Sequence, residues 1–196
     1  IFNGDMLYTF SLHLNSFGPK KFPNPIFNMN DKITYPEDLI MAESLLSQTE
    51  TRIGQGYDVH AFETESTERK LILCGIEIPH DYALTGHSDA DVALHALTDA
   101  ILGAISFGDI GEHFPPSDAA HKGRASHEFL SFSLDQLTEK SGRLVNVDMT
   151  IICEAPKVSP HRDAMRERLA EILNLDVSRV SVKATTTETL GFTGRR

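Results

Sequence analysis

Hydrophobic and polar positions divide the chain near residue 50. Residues 1–31 mix Asn, Pro, Phe and Lys with no helical or strand period and are expected to be irregular. Thr34, Tyr35, Pro36 and Glu37 then form a capping-box pattern with Pro in the first turn. Leu39, Ile40, Ala42, Leu45 and Leu46 continue it as a helical stripe to about Gln48, and residues 47–51 read as a polar linker. Beyond the linker, Ile53, Tyr57 and Val59 predict a strand carrying two glycines. A charged loop over 63–70 and an extended stretch over 71–78 follow, which together predict a long-looped hairpin. A helix is expected over 88–107, capped by Ser88 or Asp89, with Val92, Leu94, Ala96, Leu97, Ile101 and Leu102 inside. Residues 108–111 and 114–116 read as loop, 125–140 as a second helix stopped at Gly142, and 144–154 as a strand. A third helix over 159–173 should open with Ser159 as cap and Pro160 at its first position, before a last strand over 180–187. Strands alternating with helices predict an α+β sandwich, a sheet with helices packed on one face, and no internal repeat is visible.

Composition narrows the choice of partner. The 196 residues are 40% hydrophobic, enough to build a packed core. The formal net charge of -10 argues against nucleic acid, because an acidic chain repels a phosphate backbone. A small phosphorylated substrate would then need a metal or a local cluster of donors. The two cysteines, Cys74 and Cys153, lie in apolar strand-like runs, which speaks for a reducing, cytoplasmic setting rather than a disulfide scaffold. No signal-peptide pattern and no bilayer-length apolar run is visible. The chain opens on Ile1 and is expected to be a piece of something longer.

Candidate chemistry begins with Asp58 and His60. Two apart on a strand, they share one face. His95 lies mid-helix, flanked at helical spacing by Asp91 and Asp99, either of which could orient it. Two imidazoles and a carboxylate with an open position suit catalytic zinc. An Asp-x-His pair alone is usually surface polarity, and a lone helical His is usually core. The crowding of His60, His87 and His95 among carboxylates favours the ligand reading. Thr185, Thr186, Thr187 and Glu188 end a strand with three hydroxyls and a carboxylate suited to phosphate and Mg²⁺, although a Thr-rich run is commonly just a good strand. Phe192 and Arg195 follow in a glycine-bearing segment, the guanidinium suited to phosphate. The segment from Ala155 to Pro160 offers amides before a helix, and Asp109 sits in a tight loop where it could hold sugar hydroxyls.

Together these segments resemble the 2-C-methyl-D-erythritol 2,4-cyclodiphosphate synthase family. The matching strings are RIGQGYDVHAF, TGHSDADVALHALTDAILGA, FGDIGEHFPPSD, NVDMTIICEAPKVSPH and KATTTETLGFTGR, in family order from Arg52 to Arg195. The resemblance implies a trimer-forming enzyme of non-mevalonate isoprenoid biosynthesis, with sites between subunits, acting on 4-diphosphocytidyl-2-C-methyl-D-erythritol 2-phosphate and releasing CMP. Asp58, His60 and His95 would hold zinc. Asp58, Val59, His60, His87 and Ser88 would bind substrate, His87 and Ser88 at its phosphates, with His87 and Thr186 placing charge in the transition state. Asp109, Ile110 and Gly111, with Phe114, Pro115, Pro116, Ser117 and Asp118 around them, would hold the erythritol part. Cys153, Glu154, Ala155, Pro156, Lys157, Val158 and Ser159, together with Thr185, Thr186, Thr187 and Glu188, would cradle the cytidine diphosphate. Glu188 would also bind a second cation, Mg²⁺ or Mn²⁺, while Phe192 and Arg195 would line a central cavity or contact phosphate.

The segment from Asp31 to Leu46 is similar to the tail of the 2-C-methyl-D-erythritol 4-phosphate cytidylyltransferase family, which some bacteria fuse upstream of the cyclase. The expected organisation is therefore an irregular segment and upstream tail helix over 1–50, of which residues 1–30 match neither family, and a cyclase domain over 52–196 lacking its final strand. The family continues past Gly-Arg into a long apolar strand, so a sheet ending at Arg196 is expected to expose an edge. Two other readings are a metal-dependent phosphohydrolase using the same ligands and an inactive metal-binding fragment.

Overall fold

The computed structural model describes residues 5–15, 36–37, 50–66, 68–86, 88–115 and 123–191. Its main sheet contains five strands: β1 (Asp5–Asn15), β2 (Thr51–Gly54), β3 (Tyr57–Ala61), β6 (Arg143–Ile152) and β7 (Val180–Thr185). A separate hairpin pairs β4 (Leu71–Leu73) with β5 (Ile76–Ile78). The helices are α1 (Val92–Ala104), the short α2 (Ile110–His113), α3 (Ser126–Glu139) and α4 (Arg162–Leu173).

The strand β1 stands inside the sheet. It pairs antiparallel with β3 along Asp5 to Thr9 and with β2 along Leu12 to Asn15. Its other side pairs antiparallel with β6, which runs parallel to β7. One row of the register crosses the sheet through Val59, Leu7, Ile152 and Thr185. The ends of β3, β6 and β7 therefore open on the same side of the molecule, where loops can carry function.

Alternation along β6 explains which face is covered. Val147, Met149 and Ile151 are buried, whereas Asp148, Thr150 and Ile152 are only half-buried. Helix α1 packs on β1, β2 and β3, and α4 packs on β7. Helix α1 is buried almost all round because α3 covers its outer side. The result is the α+β arrangement expected from the alternation of elements.

Two glycines set the depth of α1. An added Cβ at Gly54 would stand 1.8 Å from the Ala100 carbonyl oxygen, and one at Gly56 would stand 1.7 Å from that of Ala96. The missing side chains let strand and helix backbones meet. The small residues Ala96 and Ala100 on the helix serve the same approach.

Several elements differ from expectation. The first strand is broken at Gln55 and Gly56 into β2 and β3. Residues 71–78 fold back on themselves through Cys74 and Gly75, both in left-handed backbone, instead of pairing across the charged loop. Asp91, rather than Ser88 or Asp89, caps α1 by accepting from Leu94 N at 3.2 Å. Residues 110–113, expected to begin in loop, form α2. Ser159 makes no capping hydrogen bond; Ser159–His161 is a 3₁₀ turn leading into α4. The segment 5–15, expected to be irregular, is β1, which pairs with β6 opposite β7, and β7 stands at the edge of the sheet among the described residues. Of the helix expected from Thr34, only Pro36 and Glu37 are described, and they are helical.

The glycine contacts predict opposite outcomes for two alanine substitutions. Gly56→Ala should cost at least about 3 kcal/mol, since its clash is with backbone that cannot rotate away. Gly103→Ala, on the exposed side of α1 with nothing within 4 Å, should stabilise by roughly 0.5–1 kcal/mol. Urea midpoints of the two variants check both signs.

Candidate metal centre

Asp58 and His60 project from one face of β3, and α1 carries His95 onto them. His60 Nε2 lies 3.1 Å from Asp58 Oδ2, and His95 Nδ1 lies 3.2 Å from the same oxygen. The two rings are tilted by 59° with centroids 5.2 Å apart. One ligand atom from each residue lies within 4.8 Å of the others, and among the described residues this is the one such group. Val59 N donates to Asp58 Oδ1 at 2.8 Å, fixing the carboxylate so that Oδ2 faces the rings. Burial alone would raise the Asp58 carboxyl, but hydrogen bonds and charge from His60 and His95 outweigh it and hold it well below the usual carboxylate range. A carboxylate oxygen meeting two imidazole nitrogens is a donor set that fits a divalent ion such as zinc.

Behind the triad, His95 Nε2 meets Ser126 Oγ at 2.9 Å and Ser88 Oγ at 3.3 Å. Asp89 takes the Ser126 hydroxyl in a short hydrogen bond and the Ser126 N–H at 3.1 and 3.2 Å. The carboxylate thereby meets the buried amide end of α3, where negative charge is favoured. Neither acidic neighbour expected to orient His95 does so. Asp91 accepts from the amides of Cys74, Gly75 and Leu94. It ties the β4–β5 turn to the start of α1, and burial pushes its carboxyl up to about 6. Asp99 accepts from Ile110 N at 2.8 Å, and burial raises it too. Ser126 escapes a sequence reading because it is one serine among several at a helix start. Only the packing of α3 on α1 brings it to His95.

The remaining candidate residues fall into two groups. Asp109 caps α2 through Glu112 N at 2.9 Å, with Ile110 and Gly111 in that helix. Pro115 follows Phe114, whose ring packs on Phe129 at 4.8 Å, and Phe129 in turn lies 5.9 Å from the His95 ring. An aromatic wall thus connects this group to the triad. The second group lies at the ends of β6 and β7. There the Glu154 carboxylate accepts from Thr187 N at 2.8 Å and from the Thr187 hydroxyl. Thr186 Oγ1 donates to Glu188, and Cys153 N donates to Thr185 O at 3.1 Å. Cys153 Sγ donates to Pro156 O, and burial pushes its thiol up to about 12, far from a reactive thiolate. Ala155, Lys157, Val158 and Ser159 complete that loop, with Val158 in the core. Along the shared row, Val59 and Thr185 are three strand spacings apart, roughly 14 Å. His87, Pro116, Ser117, Asp118, Phe192 and Arg195 lie outside the described residues.

Residues 51–196 match the YgbB family. The chain belongs to the YgbB family. A relative from Caulobacter vibrioides, named bifunctional enzyme IspD/IspF, is 61% identical over 165 residues, covering 84% of this chain and 42% of its own length. A solved structure of the bifunctional IspDF from Campylobacter jejuni shares 42% identity at a TM-score of 0.71, covering 84% of this chain and 44% of that one. A 2C-methyl-D-erythritol-2,4-cyclodiphosphate synthase solved in its CDP-bound form shares 36% identity at a TM-score of 0.62, covering 67% of this chain and 85% of that one. The chain spans less than half the length of its bifunctional relatives. These YgbB likenesses are to cyclodiphosphate synthases and carry nothing toward the phosphohydrolase reading. No helix among the described residues is long and apolar enough to cross a membrane.

Removing one imidazole tests the triad. His95→Ala should lower zinc retained after dialysis from about one ion per chain to near zero, because two protein ligands hold zinc poorly. Elemental analysis of folded protein gives the stoichiometry.

Proposed function

We propose that this YgbB domain converts 4-diphosphocytidyl-2-C-methyl-D-erythritol 2-phosphate to 2-C-methyl-D-erythritol 2,4-cyclodiphosphate and CMP. The observation that carries the reading is the meeting of Asp58, His60 and His95 at one point, in a family whose solved relative binds CDP. An oxygen of the 2-phosphate forms a bond to the β-phosphorus. The bond from that phosphorus to the bridging oxygen breaks, and its electron pair leaves with CMP. Both reacting groups are anionic, so the barrier is largely charge repulsion and positioning. Zinc held by Asp58, His60 and His95 would supply Lewis-acid charge to the diphosphate, with Mg²⁺ or Mn²⁺ at Glu188.

The chain's own side chains do the rest. His87 and Ser88 hold phosphate oxygens, and His87 and Thr186 place positive or hydrogen-bonding groups where negative charge builds. Asp109, Ile110 and Gly111 hold the erythritol hydroxyls beside the Phe114 wall. The Glu154–Thr187 contact keeps the loop from Cys153 to Ser159 against Thr185 to Glu188, and these segments receive the cytidine diphosphate. Phe192 and Arg195 contact phosphate or line the central cavity.

The family resemblance supports a homotrimer with sites between subunits, and the bacterial relatives support a cytoplasmic setting. The bifunctional relatives also support reading residues 31–50 as the tail of an upstream cytidylyltransferase and the cyclase domain as starting near residue 52, with β1 joining its sheet from upstream. Phosphorus NMR of the zinc-loaded protein with the cytidine substrate and Mg²⁺ should give CMP and the cyclic diphosphate in equal amounts. Absence of CMP would remove this reading.

A further inference from the structure

We propose that Ser126, backed by Asp89, is a positioning residue that fixes the tautomer of His95 and leaves Nδ1 free to bind a divalent cation. The inference rests on the metal reading of the triad and adds residues to it.

The argument is a count of hydrogens. A serine hydroxyl has one hydrogen to give and can accept in return. An ionised carboxylate can only accept. Asp89 Oδ1 is in short contact with Ser126 Oγ, so the Ser126 hydrogen belongs to that bond. Asp89 is itself held by the amides of Ser126 and Asp91. What Ser126 Oγ presents to His95 Nε2, 2.9 Å away, is therefore an acceptor lone pair. A ring hydrogen on Nε2 meets that lone pair, and Ser88 Oγ, 3.3 Å from the same nitrogen, can accept from it as well. Ser88 Oγ, which accepts from Ala90 N at 3.0 Å, lies 3.4 Å from Ser126 Oγ and can donate to it, reinforcing the same direction.

With its hydrogen on Nε2, neutral His95 turns an Nδ1 lone pair toward Asp58 Oδ2 at 3.2 Å. Two acceptors then face one another, a contact that a second ring proton or a metal cation relieves. Without the Ser126 acceptor, the ring can move its hydrogen to Nδ1 and donate to Asp58. That arrangement satisfies the carboxylate but blocks the ligand atom. Ser126 and Asp89 thus raise the cost of the metal-free pairing and favour the metal-bound one.

The test compares wild-type chain, Ser126→Ala and Asp89→Asn for zinc affinity, by competition with a chromophoric chelator. It also compares their His95 tautomers, by ¹⁵N NMR of the zinc-free protein. Both variants should bind zinc about 10–100-fold more weakly. Their His95 signal should move from the Nε2–H form toward the Nδ1–H form. A purely structural role would lower the melting temperature and leave the affinity and tautomer of the folded protein unchanged. That result in both variants overturns the proposal while the zinc triad stands. Failure of the wild-type chain to bind zinc overturns the triad and this inference with it.

Discussion

The site depends on the close approach of α1 to the strands beneath it. Asp58 and His60 come as a pair because a strand repeats every two residues, but His95 arrives from a different layer. Layers normally keep side-chain distance between their backbones. Here Gly54 and Gly56 remove that spacing, and Ala96 and Ala100 keep the helix slim. The imidazole consequently reaches the strand from a helix that is itself buried core. This placement gives the triad a rigid backing, since α1 is packed against strands on one side and α3 on the other.

Three carboxylates beside that core are each answered by backbone amides. Asp91 is fully buried yet meets three amides, and in doing so joins the β4–β5 turn to the start of α1. Asp99 holds the first amide of α2, and Asp89 holds the first amide of α3. Three carboxylates from the same stretch thus attach neighbouring segments, Asp89 and Asp99 at the first amide of a helix, where negative charge is favoured, and Asp91 at the amides of a tight turn. The acidic character of the sequence around His95 serves assembly at least as much as ligand binding.

The meeting of Asp58, His60 and His95 was legible because its signal is local: a period of two on β3 and a helical histidine among acids. The core of α1 was legible for the same reason, since its apolar residues fall at helical spacing. The partners of His95 were not. Asp91 and Asp99 have the right sequence spacing, but helix capping and the α2 amide claim them, while Ser126 comes from 31 residues downstream. The hairpin was misread because a tight turn at Cys74 and Gly75 demands left-handed backbone at both positions, which Cys does not advertise. The strand β1 was missed although Tyr8 to Asn15 alternates apolar and polar residues, because the Asn-, Pro- and Lys-rich sequence after it weighed the whole of residues 1–31 toward irregular structure. The loops at the ends of β6 and β7 were found through family likeness, and their proximity follows from the parallel pairing of those strands.

The position of β1 also bears on how the molecule assembles. Its partners on β6 lie more than a hundred residues further along the chain. Ribosomal synthesis delivers β1 long before the strand that must flank it. Closing so large a loop is entropically slow, and until it closes, β1 offers unpaired backbone on at least one side. The wait ends only when β6 emerges, so this sheet can be finished only after most of the polypeptide has left the ribosome.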